Sequence, residues 1–107
     1  MKTKVNEIAI LLNNSNRVKG IYELSCGGIT GTLVDIRILF AILLKSLTTA
    51  VILVHNHPSG TLRPSEPDKR LTQKIKKAGE LLDIKILDHI ILNPQGNYYS
   101  FADDGIL

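Results

Sequence analysis

Residues 50–68 read AVILVHNHPSGTLRPSEPD. The opening run, Ala50 to Val54, is continuously apolar and of strand length, which suits a central strand buried on both faces. It feeds directly into His55. The following loop, from His55 to Asp68, carries two histidines, a serine and an aspartate before a helical pattern begins. In α/β folds ligands collect outside the carboxyl end of a central strand, so this stretch points both to the fold class and to the candidate site.

Downstream, Leu71, Ile75, Ala78 and Leu82 recur at helical spacing, with Lys69, Arg70, Lys74, Lys76 and Lys77 around the rest of the surface. This predicts an amphipathic helix ending near Leu82. Ile84 to Leu92 reads as a strand, Asn93-Pro94-Gln95-Gly96-Asn97 as a turn and Tyr98 to Phe101 as a last short strand. Upstream, Val5 to Leu12 is a strand that ends in the turn formers Asn13-Asn14-Ser15-Asn16, and a second strand from Arg17 to about Ser25 completes a hairpin. Gly27, Gly28 and Gly31 mark a turned connection with room for a brief strand around Ile29 to Leu33. From Asp35 the spacing of Ile36, Leu39, Phe40, Leu43, Leu44 and Leu47 predicts a helix, with Asp35 near its N-terminus and Lys45 near its C-terminus as the helix dipole favours. Ile38 and Ile42 make that helix apolar nearly all round, which predicts packing between the sheet and other elements. Hairpins and crossovers together give a mixed sheet in a two- or three-layer α/β arrangement.

The 107 residues, 44% hydrophobic, suit one compact domain over 1–107. A net charge of +3 falls short of the dense basic face of dedicated nucleic-acid binders. One cysteine, Cys26, excludes an intramolecular disulfide and a multi-cysteine zinc site, and the N-terminus lacks the basic-then-apolar layout of a signal peptide. Asp35, Arg37 and Lys45 interrupt the apolar segment 33–54, so no membrane span is expected and the expected location is the cytoplasm.

On an extended backbone His55 and His57 point to the same side, and Pro58 disfavours helix at His57, so the two imidazoles can converge on one point. Asp68 adds a hard oxygen from the start of the next helix. Three protein ligands of mixed nitrogen and oxygen type leave a fourth tetrahedral position open, the arrangement of catalytic zinc. Such chemistry needs a base for the water's proton. Glu7, an acidic side chain in line with Val5, Ala9 and Leu11 on the first strand, is the candidate. Ser65 can donate a hydrogen bond to the oxyanion formed when water attacks a carbonyl.

Each residue has a plainer reading. A His-x-His pair alone is a weak signal. Ser65 and Asp68 also satisfy the capping-box pattern, with Pro67 in the tolerated first turn, and a cap of this kind would hold Asp68 in place. Glu7 is an exposed strand residue if the other face of its strand is the buried one. Asp88 and His89 can support a metal site from behind or serve as a hydrogen-bonded structural pair. Cys26 defaults to a small buried hydrophobe, because the zinc-deaminase signature is missing.

His55-x-His57-Pro58 followed by Ser65-x-x-Asp68, with a glutamate well upstream, resembles the JAMM motif of the JAB/MPN metalloprotease superfamily. More narrowly, His55-Asn56-His57-Pro58-Ser59-Gly60, Pro64-Ser65, Asp68, Leu87-Asp88-His89-Ile90-Ile91 and Tyr99-Ser100-Phe101 look like the RadC family over nearly the whole chain. The resemblance implies a three-layer α/β/α sandwich with a mixed sheet, the deaminase-like MPN fold. It implies zinc (Zn2+) on His55, His57 and Asp68, Ser65 assisting the intermediate and Glu7 as general base. It further implies hydrolysis of peptide or isopeptide bonds, with a protein or peptide as substrate, under a DNA-repair label that these residues do not explain.

Longer RadC proteins resemble this chain only in their C-terminal half, and the helix-hairpin-helix segment that would contact DNA is not among these residues. Where the family often has Pro-Arg-Glu at the first helix, this sequence has Asp35-Ile36-Arg37-Ile38. Glu7 is then the matching upstream acid, with Glu23 as its rival. Two functions remain open: a zinc hydrolase of the metallopeptidase type, and a nucleic-acid-associated module whose metal is structural or vestigial.

Overall fold

A computed structural model describes residues 5–28 and 34–107, with the side chains of residues 5, 6 and 25–28 excepted. The brief strand expected around Ile29 to Leu33 and the Cys26 side chain lie outside the described residues. The element order is β1 (Val5–Leu12), β2 (Val18–Gly28), α1 (Ile36–Lys45), β3 (Ala50–Asn56), α2 (Glu66–Leu82), β4 (Lys85–Leu92) and β5 (Tyr98–Ser100). The α/β class and the mixed sheet agree with the reading of the sequence.

The five strands lie in the order β2-β1-β3-β4-β5. β1 is antiparallel to both β2 and β3, β3 and β4 are parallel, and β5 is antiparallel to β4. The parallel pair needs a crossover, which α2 supplies. Alternation sets the faces: Glu7, Ala9 and Leu11 of β1 are buried, as are Val51, Leu53 and His55 of β3, while Ile8, Ile10, Ile52 and Val54 between them are half-buried. The buried face joins Leu39, Phe40 and Leu43 of α1, Ile75 of α2, and Ile84 and Ile86 in one core.

Local chemistry explains the ends of these elements. The Asn13 side-chain oxygen accepts from the backbone N–H groups of Ser15 and Arg17 and closes the β1–β2 turn, with Asn16 in the left-handed region at φ 57°. Asp35 caps α1 by accepting from the Arg37 and Ile38 amides. α1 is less enclosed than its composition suggests: Ile38 and Leu44 are about half exposed, and Leu47 just beyond it is 80% exposed. The sheet covers one stripe of this helix, and an apolar side chain outside that stripe stays in solvent when no described element reaches it. Among the described residues no helix is long and apolar enough to cross a membrane.

Candidate metal centre

β3 runs out of the core at His55, and the backbone amide of His57 donates to the Leu92 carbonyl at 2.7 Å, which ties the start of the loop to the end of β4. The two imidazoles meet edge to edge, with His55 Nε2 and His57 Nε2 2.9 Å apart. Asp68 closes the triangle: Oδ1 lies 3.5 Å from His55 Nε2 and Oδ2 lies 3.3 Å from His57 Nε2. Four donors placed tetrahedrally around zinc at about 2.05 Å would be separated by about 3.3 Å, so the two imidazole nitrogens and the Asp68 carboxylate already stand close to a zinc ligand set. His57 and Asp68 keep 15% and 20% side-chain exposure, which leaves the cluster open on that side.

Asp68 is held by the capping box expected from the sequence. Its Oδ2 accepts from the Ser65 amide at 2.8 Å, and Ser65 Oγ accepts from the Asp68 amide at 3.1 Å. Partial burial acts to raise the Asp68 carboxyl, but the bonds from His55 and Ser65 outweigh it and hold the group well below the usual carboxylate range. Asp68 therefore stays ionised at neutral pH. Ser65 itself is exposed. Its lone pair serves the cap, and its hydroxyl hydrogen remains available to a ligand.

Glu7 sits directly across from His55 in the β1–β3 register. It is 2% exposed. Oε1 lies 3.8 Å from His55 Nδ1 and Oε2 lies 3.6 Å from His89 Nε2, so the carboxyl faces the inner edge of His55, opposite the edge that meets His57 and Asp68. Oε2 has no hydrogen-bond partner. Burial, opposed by the nearby His55 and assisted by the negative Asp68, pushes its carboxyl up to about 8. A buried carboxyl oxygen without a donor is costly and is the kind of group a water or a cation satisfies. Glu23, the rival acid, is exposed and pairs with Ile8, one position along β1 and therefore on the opposite face.

Two residues outside the expected site set complete the interior. His89 on β4 is 1% exposed, and its Nε2 lies 2.8 Å from His55 Nδ1. Its Nδ1 lies 2.6 Å from the hydroxyl of Thr72, a buried residue one helical turn beyond Asp68. Burial pulls the His89 imidazole down to about 4, so the ring is uncharged at neutral pH. Its face stacks on Phe101 with centroids 4.8 Å apart. Asp88 behaves differently. It accepts from the His89 and Ala102 amides and from Ser100 Oγ, and so braces β4 against β5 and the following turn. Two groups of potential ligands thus share His55: Glu7 with His55 and His89, fully buried, and His55 with His57 and Asp68, partly open.

A cleft of about 750 Å³ adjoins the cluster through Ser65, with Leu62, Arg63, Pro64, Tyr99 and Ile106 among its walls. It contains none of the histidines.

A family model described as RadC-like JAB domain matches residues 2–106. Curated relatives carry the name UPF0758 protein. The one from Flavobacterium johnsoniae is 56% identical over 97 residues, covering 91% of this chain and 42% of the relative. The one from Porphyromonas gingivalis is 46% identical over 98 residues, covering 92% and 43%, and the one from Syntrophotalea carbinolica is 42% identical over 100 residues, covering 94% and 44%. The chain spans less than half the length of each.

Proposed function

The chain belongs to the RadC-like JAB domain family, and from that premise we propose that it is a metal-dependent hydrolase of amide bonds, with zinc as the metal and a peptide or isopeptide as substrate. The observation that carries the reading is the convergence of His55 Nε2, His57 Nε2 and the Asp68 carboxylate on one partly open point. The unpartnered Glu7 Oε2 supports it from the interior.

When bound, zinc supplies Lewis acidity toward water and a carbonyl group. His55, His57 and Asp68 would hold it, and Asp68 would contribute the one full negative charge among the three. Positive charge at this point opposes the burial that keeps Glu7 protonated and favours its carboxylate. Glu7 is the base in this reading: turned from the Nδ1 edge of His55, where it rests, toward the Nε2 edge, its carboxylate would take a proton from the attacking water and return it to the leaving amine, the two tasks of a general base followed by a general acid. Ser65 turns its hydroxyl hydrogen toward the developing oxyanion while its oxygen keeps the cap. The cleft beside Ser65 offers Leu62, Pro64 and Ile106 to apolar side chains of an extended segment, with charges of both signs, Arg63 and Lys69 against Glu66 and Asp104, around them.

The test is zinc uptake measured together with hydrolysis. Metal-free protein at neutral pH should take up about one zinc per chain, and His57→Ala should lose it. Zinc-loaded protein should cleave members of a fluorogenic peptide and isopeptide panel, and Glu7→Gln should abolish cleavage with zinc retained. A wild-type protein that refuses zinc under these conditions refutes the proposal. The second reading, a nucleic-acid-associated module with a DNA-repair role, has the exposed Lys69, Arg70, Lys74 and Lys77 of α2 as its surface. A steep fall of DNA affinity with salt would favour it.

A further inference from the structure

The sheet ends differently at its two edges. β5 is three residues long and runs straight into the turn of residues 101–105. β2 forms the other edge with 11 residues and no proline, and among the described residues no strand lies beyond it. A long edge strand offers a row of backbone N–H and C=O groups to another strand. Its apolar side chains also stand in solvent: Val18 is 62%, Ile21 65% and Tyr22 48% exposed. Register shifts against β1 fall on either side of residues 20–23, so this stretch is the regular part of the edge.

The sequence of this edge is complementary to an antiparallel copy of itself. With a two-fold axis through Ile21, Ile21 meets Ile21, and Tyr22 lies opposite Gly20 of the second copy. A ring needs room there, and a side chain on Gly20 would begin with nothing within 4 Å of its Cβ. Tyr22 and Gly20 pair with the core-facing Ala9 and Leu11, so both belong to the face that carries α1. The strand has cations at its start, Arg17 and Lys19, and an anion, Glu23, near its other end. Antiparallel pairing brings these ends together, whereas a parallel copy in register would set like charge against like. Lys19 already donates to the Ser46 carbonyl at the end of α1, which leaves Arg17 as the cation for Glu23.

We propose that β2 is the interface with a second copy of this chain: two sheets join edge to edge, antiparallel about Ile21, into one continuous sheet. α1 supports this edge. Tyr22 forms a shallow groove of about 500 Å³ with Leu11, Ala41, Ile42, Lys45 and Ser46. Ile38, 55% exposed, lies on the same helical stripe as Ala41, Ile42 and Lys45 and extends the apolar surface along the seam. In the dimer the Tyr22 ring of each copy covers Gly20 of the other beside this groove. β1 separates the edge from His55 and the loop that follows it, so the candidate metal centre stays uncovered.

Sedimentation velocity over about 1–300 μM reads the mass in solution, and the wild type should pass from one chain to two within that range. Ile21→Lys sets two like charges against each other at the axis. The position is exposed, so the variant should fold as the wild type does, which circular dichroism checks, and its dimer should weaken about tenfold or more. Arg17→Glu should weaken the dimer through repulsion from Glu23 of the second copy, and Arg17→Glu combined with Glu23→Arg should recover it. A wild type that stays a single chain at about 300 μM overturns the inference in favour of a strand from a different protein. A dimer that Ile21→Lys leaves intact overturns it in favour of another surface. A double variant that dimerises no better than Arg17→Glu alone overturns the antiparallel pairing.

Discussion

Glu7→Gln should stabilise the metal-free protein, and by an amount that grows with pH. The Glu7 carboxyl is pushed up from 4.5 to about 8 by burial. The folded protein therefore holds this proton more tightly than the unfolded chain does. Below about pH 4.5 the carboxyl is neutral in both states and the shift has no effect on stability. As pH rises toward 8 the unfolded chain ionises freely and the folded one cannot, so stability is lost across that window. At 1.36 kcal/mol per pH unit the loss is about 0.8 kcal/mol at pH 5 and about 3 kcal/mol at pH 7. Glutamine does not titrate, so any fixed cost of its amide is the same at both pH values and drops out of the difference. Urea unfolding of both proteins with chelator present, at pH 5 and pH 7, reads this directly. The advantage of the variant should widen by about 2 kcal/mol, a shift in midpoint of roughly 1.5–2 M for a domain with a slope a little above 1 kcal/mol/M. A difference between the two proteins that is flat from pH 5 to pH 7 refutes the argument that Glu7 is a buried carboxyl without compensation.

Gly79→Ala should destabilise the protein by about 1–3 kcal/mol despite the better helix propensity of alanine, because its Cβ would run into the Ile84 backbone carbonyl. The Ile84 amide donates to the Gly79 carbonyl and pins that approach, and a rise in thermal midpoint would contradict this. Ser65→Ala should cost about 1 kcal/mol through the lost cap and weaken zinc binding by loosening Asp68, with both effects largely recovered in Ser65→Thr. Denaturation and chelator competition on the same samples read the two. Asp88→Ala leaves two amides and the Ser100 hydroxyl short of an acceptor and should cost about 1–3 kcal/mol with zinc affinity unchanged. A tenfold loss of zinc affinity in that variant would make Asp88 part of the site.

Periodicity located the strands and helices because each buries one face, and the face shows as a repeat of two or of 3.6. The loop cluster was legible for a related reason: His55, His57 and Asp68 lie close in sequence, and the Ser65 cap that aims Asp68 is a local pattern. Glu7 is another matter. Its alignment with Val5, Ala9 and Leu11 put it on a face, but only the pairing Glu7↔His55 puts it beside the cluster, and register between distant strands leaves no trace in one sequence. His89 was visible as half of a polar pair in an apolar strand, and its partner Asp88 proved to be the structural half. Thr72 carries a signal of its own: it occupies the same helical stripe as Asp68, Ile75 and Gly79, and a hydroxyl on a buried stripe is placed to bond a polar group of the sheet beneath, here His89 Nδ1. The exposed side of α1 is the converse case, where apolar residues suggested burial that no described neighbour provides.

The site spans three adjacent strands and the start of the helix that follows the middle one. Glu7 comes from β1, His55 from β3, His89 from β4, and Asp68 and Thr72 from α2. Because the register of β1 on β3 and of β3 on β4 fixes the first three, none can move toward the cluster or away from it without breaking strand pairing. The rigidity has a cost, because the Glu7 Oε2 is buried without a hydrogen-bond partner. A cation held by His55, His57 and Asp68 would offset part of that cost, because positive charge near the buried carboxyl favours its ionised form. A cation bound by the folded chain alone adds to folding stability, so positions fixed by strand register would couple metal binding to the fold.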